Sequence, residues 1–114
     1  MTELKIKEIL FSQLVLTTAD KAIKHFGSWV QLDKAREECA ELSVALKDFE
    51  KHHDKDHNDA YRQAAIDETA DVLFTALQAA MILGSVEVAD RIAFKANRLL
   101  GMIQGTDWGL KKED

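Results

Sequence analysis

The chain has 114 residues, a formal net charge of −5, no proline, 5 glycines and one cysteine. This length predicts a single domain, residues 1–114, and the scarcity of proline and glycine permits long helices. The acidic balance argues against a nucleic acid polymer as partner, and one cysteine excludes an intramolecular disulfide. Because no segment has the length and apolarity of a membrane span or the pattern of a signal peptide, we expect a cytoplasmic protein.

Apolar periodicity predicts four helices, over roughly residues 3–26, 29–51, 59–83 and 86–104. Gly27 suits the end of the first helix, and Ser28 begins a Ser-x-x-Gln capping box that should open the second. From Ile66 onward the third helix is apolar on nearly every side, which is typical of a central helix. We therefore predict an all-α, four-helix antiparallel bundle-type domain that oligomerises through its central helices.

The second helix and the loop after it contain residues with metal-binding or nucleophilic side chains. Cys39 falls on the apolar seam of the second helix, so we predict a small core residue rather than a nucleophile. The polar segment 52–59 predicts the one sizeable loop. Its histidines and aspartates match no metal-site spacing and favour a solvated loop. They are His52, His53, Asp54, Asp56 and His57.

Two short acidic signatures place carboxylates three residues apart on predicted helices. Glu38 pairs with Glu41 in the second helix, and Glu68 pairs with Asp71 in the third. Positions i and i+3 share a helix face, so each pair offers two oxygens to one ligand. Hard cations such as Mg²⁺ take oxygen ligands, commonly carboxylates together with phosphates and water. Two such pairs meeting in a bundle predict an Mg²⁺ site, with Mn²⁺ as a substitute.

The third helix also carries a polar stripe on its otherwise apolar surface. The stripe consists of Glu68, Asp71, Thr75 and Gln78, at steps of three, four and three. Unpaired carboxylates are costly to bury, so the stripe needs water, basic side chains or a metal ion beside it. Exposure to water is the commoner fate of acidic residues, but the second acidic pair shifts the interpretation towards a metal site.

Three cations share one face of the fourth helix. Arg91, Lys95 and Arg98 follow one another at steps of four and three. Cations at this spacing can bind a polyphosphate, and arginine can bind two oxygens at once. The alternative is a surface stripe with internal pairs, for example Glu87 with Arg91. The residues alone leave both interpretations open.

The order Glu-x-x-Glu, a gap of 26 residues and Glu-x-x-Asp resembles the signature of the all-α nucleoside triphosphate pyrophosphohydrolases. The chain is similar to a small, single-domain MazG-like member of that group. The likeness runs from Trp29 through Leu73 and continues into residues 95–98. It implies cleavage of a (deoxy)nucleoside triphosphate between its α and β phosphorus atoms, giving the monophosphate and pyrophosphate, as nucleotide-pool housekeeping.

The resemblance also implies roles for individual residues. It implies that Mg²⁺ is held by Glu38, Glu41, Glu68 and Asp71. Glu38 is implied to be catalytic as well. Glu37 would be an outer acceptor or would orient the attacking water.

The remaining implied roles concern the substrate and the assembly. Lys95 and Arg98 would hold the phosphates, with Arg91 as the rival of Arg98. Trp108, or its rival Trp29, would hold the base. Family members are usually dimers or dimers of dimers with helices of two chains around each site, so a homodimer or a dimer of dimers is expected.

Two other functional classes stay open from the sequence. The first is a non-catalytic helical oligomerisation or binding module whose acidic face is simply hydrated. The second is a sibling activity in the same superfamily, namely hydrolysis of deoxyuridine triphosphate or of phosphoribosyl-ATP. The carboxylates do not separate these activities, because recognition of the base lies elsewhere.

Overall fold

The computed structural model describes residues 2–56 and 58–105, and all regular secondary structure in these ranges is helical. The helices are α1 (Thr2–Leu10), α2 (Gln13–Phe26), α3 (Ser28–Lys51), α4 (Asp59–Leu83) and α5 (Ser85–Ile103). The chain divides into two compact units, Met1–Ile82 and Leu83–Asp114. The all-α class is confirmed, whereas the single-domain organisation and the oligomerisation stay predictions.

The segment predicted as one helix over residues 3–26 forms two helices, so that prediction was wrong. Ser12 caps α2 from an extended conformation (φ −71°, ψ 158°), and its Oγ accepts the N–H of Val15 at 3.3 Å. The same hydroxyl donates to the carbonyl of Ile9 at 2.7 Å. Serine competes well for backbone groups at such positions. The apolar period runs across this break and conceals it.

The junction of α2 and α3 is built on Gly27. Its φ of +99° lies in the left-handed region that favours glycine, and its N–H donates to the carbonyl of Ile23 at 2.8 Å. This confirms the helix end predicted there. Gly27 is also the N-cap of α3, where no side chain caps the helix. The capping box at Ser28 was therefore wrong, because Ser28 is already the first helical residue.

In the first unit α2 packs against both α1 and α3. The buried apolar positions among the described residues are small: Ala19, Ala45 and Ala65. Helix α4 is joined to α2 by a hydrogen bond from Nε2 of Gln78 to the carbonyl of Ala19, 3.3 Å long. Small side chains allow these helices to approach closely, but they leave a core with little apolar volume.

The inward face of α3 differs from the predicted apolar seam at two positions, whereas the predicted seam residues Leu32, Ala35, Leu42 and Phe49 are half-buried. Glu38 and Ala45 are the buried residues of this helix, whereas Cys39 and Leu46 are exposed. The core position predicted for Cys39 was therefore wrong. Adjacent residues of a helix point about 100° apart, so a carboxylate takes the place expected of the thiol.

Large apolar side chains remain exposed over much of the first unit. They include Ile6, Ile9, Phe11, Leu14, Phe26, Trp29, Val30, Val44 and Leu46.

None of the described helices, taken one at a time, has the length and apolarity needed to cross a bilayer. Only α4 and α5 counted together meet both conditions.

Candidate metal centre and its cavity

Three carboxylates from α3 and α4 converge. Glu38, Glu41 and Glu68 each offer one oxygen, and these oxygens all lie within 4.8 Å of one another. Glu38 and Glu41 share a face of α3 because they are three residues apart, and Glu68 reaches them from α4. The two helices thus bring together residues that are far apart in sequence.

The cluster is buried at its centre and is incompletely satisfied. Glu38 is only 4% exposed, and one oxygen of Glu38 and one of Glu68 are buried without a hydrogen-bond partner in the part of the chain that the structure describes. An orphaned buried acceptor costs free energy, and a charged one costs more. Either protons or a cation must offset this cost. A set of carboxylate oxygens with free lone pairs fits a hard cation such as Mg²⁺.

The surroundings of Glu68 favour the protonated form of its carboxyl group. Burial, followed by the negative charge of Glu41 and a hydrogen bond to Glu38, raises the pKa of Glu68 to about 7. Close carboxylates cannot all ionise without a cation. At neutral pH the metal-free cluster therefore shares a proton, and a metal would have to displace it.

The side chain of Lys34 supplies a positive charge beside the acidic cluster. Its Nζ lies 3.2 Å from an oxygen of Glu38. Burial by itself would raise the pKa of Glu38, but hydrogen bonds, the one from Lys34 foremost, outweigh it and lower that pKa. Sequence reasoning missed Lys34. The signal was its position four residues before Glu38, the spacing of a helical ion pair.

Asp71 and Glu37 lie beside the cluster, on the wall of a cavity that Glu38 and Lys34 also line. Burial, followed by the negative charge of Glu38, raises the pKa of Asp71 above its ordinary value. Asp71 is outside the group of three converging oxygens. Its carboxylate nevertheless interacts with that of Glu38, so it faces the same site.

The cavity has a volume of about 520 Å³, which lies within the range of small-molecule sites. Besides its charged wall it is lined by apolar and amide side chains. Sequence reasoning gave these residues no part in the site, although Thr75 and Gln78 belong to the polar stripe noted on α4. They are Phe26, Val30, Gln31, Phe74, Thr75 and Gln78.

Of the two tryptophans predicted to hold the base, Trp29 does not line this cavity. Trp29 is 83% exposed and lines a separate surface depression with Asp33 and Arg36, which form an ion pair at 2.7 Å. Trp108 lies outside the described residues. Within the described part of the chain, the aromatic side chains that line the carboxylate cavity are Phe26 and Phe74.

Arg91, Lys95 and Arg98 are carried by α5, in the second unit. The guanidinium carbon of Arg91 lies 4.6 Å from the centroid of the Phe94 ring, a cation–π contact. None of the ion pairs found among the described residues involves these three cations. The internal pairing of Glu87 with Arg91 is therefore absent among the described residues.

Comparison with protein-family models, with curated proteins and with solved structures gave no significant match. The MazG-like assignment therefore stays a prediction that depends on the acidic signature.

Proposed function

We propose that this chain is an Mg²⁺-dependent nucleotide pyrophosphohydrolase that cleaves (d)NTP to (d)NMP and pyrophosphate. The observation that supports this best is the convergence of carboxylates from two helices with buried oxygens that have no partner. A purely structural cluster would be expected to satisfy those oxygens within the protein. A site that awaits a cation leaves them free.

The acidic residues divide into metal-holding and water-handling groups. Mg²⁺ supplies charge neutralisation at the phosphates and lowers the pKa of a bound water. Glu37 lines the cavity next to Glu38, where a carboxylate can accept the proton of an attacking water. The residues proposed to hold Mg²⁺, or Mn²⁺ in its place, are Glu38, Glu41, Glu68 and Asp71.

The phosphates need positive charge besides the metal, because phosphoryl transfer depends on positioning and charge stabilisation. Lys34 is on the cavity wall and can exchange its carboxylate partner for a phosphate oxygen once a metal neutralises the cluster. Lys95 and Arg98 of α5, with Arg91 as the alternative to Arg98, are proposed to bind phosphate oxygens of the substrate. Their spacing on one face and the absence of ion-pair partners among the described residues support that role.

We also propose that the protein works as a homodimer or a dimer of dimers. The buried apolar residues in the described part of the chain are alanines, while many large apolar side chains are exposed. Exposed apolar surface of this kind is typical of protein interfaces. Light scattering coupled to size exclusion would measure the mass in solution, and a monomer at micromolar concentration would contradict the proposal.

The deciding experiment is a panel of ribo- and deoxynucleoside triphosphates incubated with Mg²⁺, in which pyrophosphate and monophosphate are both quantified. We expect equimolar monophosphate and pyrophosphate, and no release after chelation of the metal. Glu38→Gln should abolish release with the helical circular dichroism unchanged. Glu50→Gln, which removes an exposed carboxylate from the same helix, is the matched control. Release of orthophosphate, or full activity in Glu38→Gln, would contradict the proposal.

A second candidate is a non-catalytic helical binding module. It is favoured by the Lys34–Glu38 pair and the raised pKa of Glu68, which together reduce the charge of the cluster without any metal. Such a module would show no pyrophosphate release and no metal-dependent stabilisation. The nucleotide panel contains deoxyuridine triphosphate, and phosphoribosyl-ATP is assayed beside it, so that the two sibling activities are separated as well.

A further inference from the structure

Gln78 is an unusual residue for the interior of this fold. It is 0% exposed and is the largest fully buried side chain among the described residues, yet it is polar and lines the carboxylate cavity. It lies on α4 seven residues after Asp71, which is two helical turns on the same face. At 1.5 Å per residue the two positions are separated by roughly 10 Å, a distance that a nucleoside can bridge.

The hydrogen bonding of Gln78 fixes which of its amide atoms is free. The carbonyl of Ala19 can only accept, so the amide nitrogen must face it, at 3.3 Å. The amide oxygen is buried and has no hydrogen-bond partner within residues 2–56 and 58–105. Buried side-chain acceptors are satisfied in the large majority of cases, so this oxygen calls for a donor that is not part of the protein described.

The surroundings of Gln78 on the cavity wall favour a flat, partly apolar donor. Phe26 of α2 and Phe74 of α4 line the same cavity. The hydroxyl of Thr75 donates to the backbone carbonyl of Asp71 at 2.9 Å, so it does not satisfy the amide oxygen. Apolar and aromatic walls with a few convergent polar groups are typical of ligand sites, and a nucleobase offers both ring faces and N–H donors.

We propose, on the basis of the proposed function, that Gln78 accepts a hydrogen bond from an N–H group of the substrate's nucleobase. Phe26 and Phe74 then provide the apolar contacts of the base. The phosphates lie at the Glu38 and Asp71 side of the cavity, and the base lies two turns further along α4. This assigns recognition of the base to the cavity wall rather than to Trp29.

The test compares a nucleotide with a ligand that has no base. An α,β-methylene nucleoside triphosphate, which cannot be cleaved between those phosphorus atoms, and inorganic tripolyphosphate are titrated calorimetrically with Mg²⁺ present. Gln78→Met should weaken nucleotide binding by about 10-fold or more, the usual cost of an unpaired buried polar group, and leave tripolyphosphate binding unchanged. Gln63→Met is the control, since Gln63 is exposed on the same helix and bonds only Asp67. Unchanged nucleotide affinity, or equal loss for both ligands, would overturn the proposal.

A ligand-side comparison decides the question even if Gln78→Met does not fold. The wild-type protein is titrated with the best-bound nucleotide and with its analogue in which the base N–H groups carry methyl groups. We expect affinity to fall by about 10-fold with the donor blocked, and equal affinity would overturn the role of Gln78.

Pyrophosphate release by the wild type, measured in parallel, separates this inference from the proposed function. Release with no dependence on Gln78 or on the base N–H overturns only the inference. Binding that depends on Gln78 without any release leaves the inference standing for a nucleotide-binding protein and overturns the hydrolase.

Discussion

The acidic cluster of α3 and α4 and the loop that joins these two helices contain similar residue types with different outcomes. In the cluster, carboxylates spaced by a helical turn converge and leave buried oxygens without partners. In the loop, His52 and His53 each direct Nδ1 at a backbone carbonyl of α3, at 2.8 and 2.6 Å. Among the described residues, no group of three or more potential ligands includes a loop residue.

The difference shows that placement on a rigid element, more than residue type, makes a ligand set. A helix repeats its face every three to four residues, so two helices can hold several carboxylates against one another. The rings of His52 and His53 donate to carbonyls at the end of α3 that also accept the backbone N–H groups of these two residues. His52 stacks on Tyr61 with ring centroids 3.9 Å apart. His57 lies outside the described residues. The described part of this segment joins α3 to α4 as a loop, as its polar composition predicted.

Turnover should show the largest contrast between the two regions. Asp71→Asn removes a proposed metal-holding carboxylate, and because even outer partners of metal sites are worth 10–100-fold, we expect a loss of at least about 100-fold in kcat/KM. The loop variant Asp54→Asn/Asp56→Asn removes two exposed carboxylates and should leave turnover unchanged. Pyrophosphate release under saturating Mg²⁺ measures both. A comparable loss of kcat/KM in the loop variant would contradict the assignment of catalysis to the acidic cluster alone.

Divalent metal should stabilise the protein through the cluster alone. At a free Mg²⁺ concentration of 100 times Kd, mass action adds about 2.7 kcal/mol to the free energy of unfolding, and a domain near this size gains about 4–8 °C in Tm per kcal/mol. Glu68→Gln should largely remove the rise, whereas His52→Ala/His53→Ala should retain it. A thermal melt with and without metal measures this. A rise that survives Glu68→Gln would place the cation elsewhere.

The bounds of α4 could be predicted from the sequence, because the polar loop before this helix and the glycine after it are local signals. The bounds of α4 match the prediction over residues 59–83, and the acidic pairs could be placed on one face from spacing alone. The break at Ser12 could not be found in this way, because an apolar period continues through it. The core position predicted for Cys39 was wrong, since the packing of α2 on α3 decides whether Glu38 or Cys39 faces inward.

The polar residues of the cavity were only partly predictable for a similar reason. Thr75 and Gln78 were visible as a stripe on an apolar helix, but their hydrogen-bond partners are set by tertiary structure. The partner of Gln78 lies 59 residues away. Lys34 carried a local signal, the i, i+4 spacing with Glu38, which could have identified it without a structure.

Cations on α5 are expected to matter less than the carboxylates. Lys95→Ala should raise KM for triphosphates by about 10-fold, which is the lower end of what a charge-assisted hydrogen bond contributes. Arg91→Ala and Arg98→Ala, assayed in parallel, identify the second phosphate-binding residue, and the cation–π contact of Arg91 with Phe94 favours Arg98. Unchanged kinetics in all three variants would reduce α5 to a scaffold.

The free energy of unfolding should depend on pH through the carboxylates of the acidic cluster. The pKa of Glu68 is raised to about 7 from its ordinary 4.5, so between these values the folded metal-free protein holds a proton that the unfolded chain has lost. Its contribution is complete below pH 4.5 and is lost as pH rises through 7. Asp71 acts in the same direction, while Glu38, with a lowered pKa, loses its contribution only at lower pH.

Urea unfolding of the metal-free protein from pH 5 to 8 measures this decrease in the free energy of unfolding. Glu68→Gln should flatten the profile, and the control Glu50→Gln should keep it. With Mg²⁺ the trend should reverse, because binding below pH 7 requires release of the proton and so weakens as pH is lowered. A profile that is identical in wild type and Glu68→Gln would contradict the raised pKa.

The smallest effect is expected from the loop. His53→Ala removes the hydrogen bond to the carbonyl of Glu50, which is exposed, so we expect a loss of about 0.5–1 kcal/mol in the free energy of unfolding, as for an ordinary hydrogen bond. Asn58→Ala removes a bond to the carbonyl of His53 at 3.0 Å and should cost a similar amount. Because both losses concern only the end of α3, they should be the same with and without Mg²⁺. A loss that doubled in the presence of metal would mean that the loop contributes to the cation site, and the contrast between the two regions would disappear.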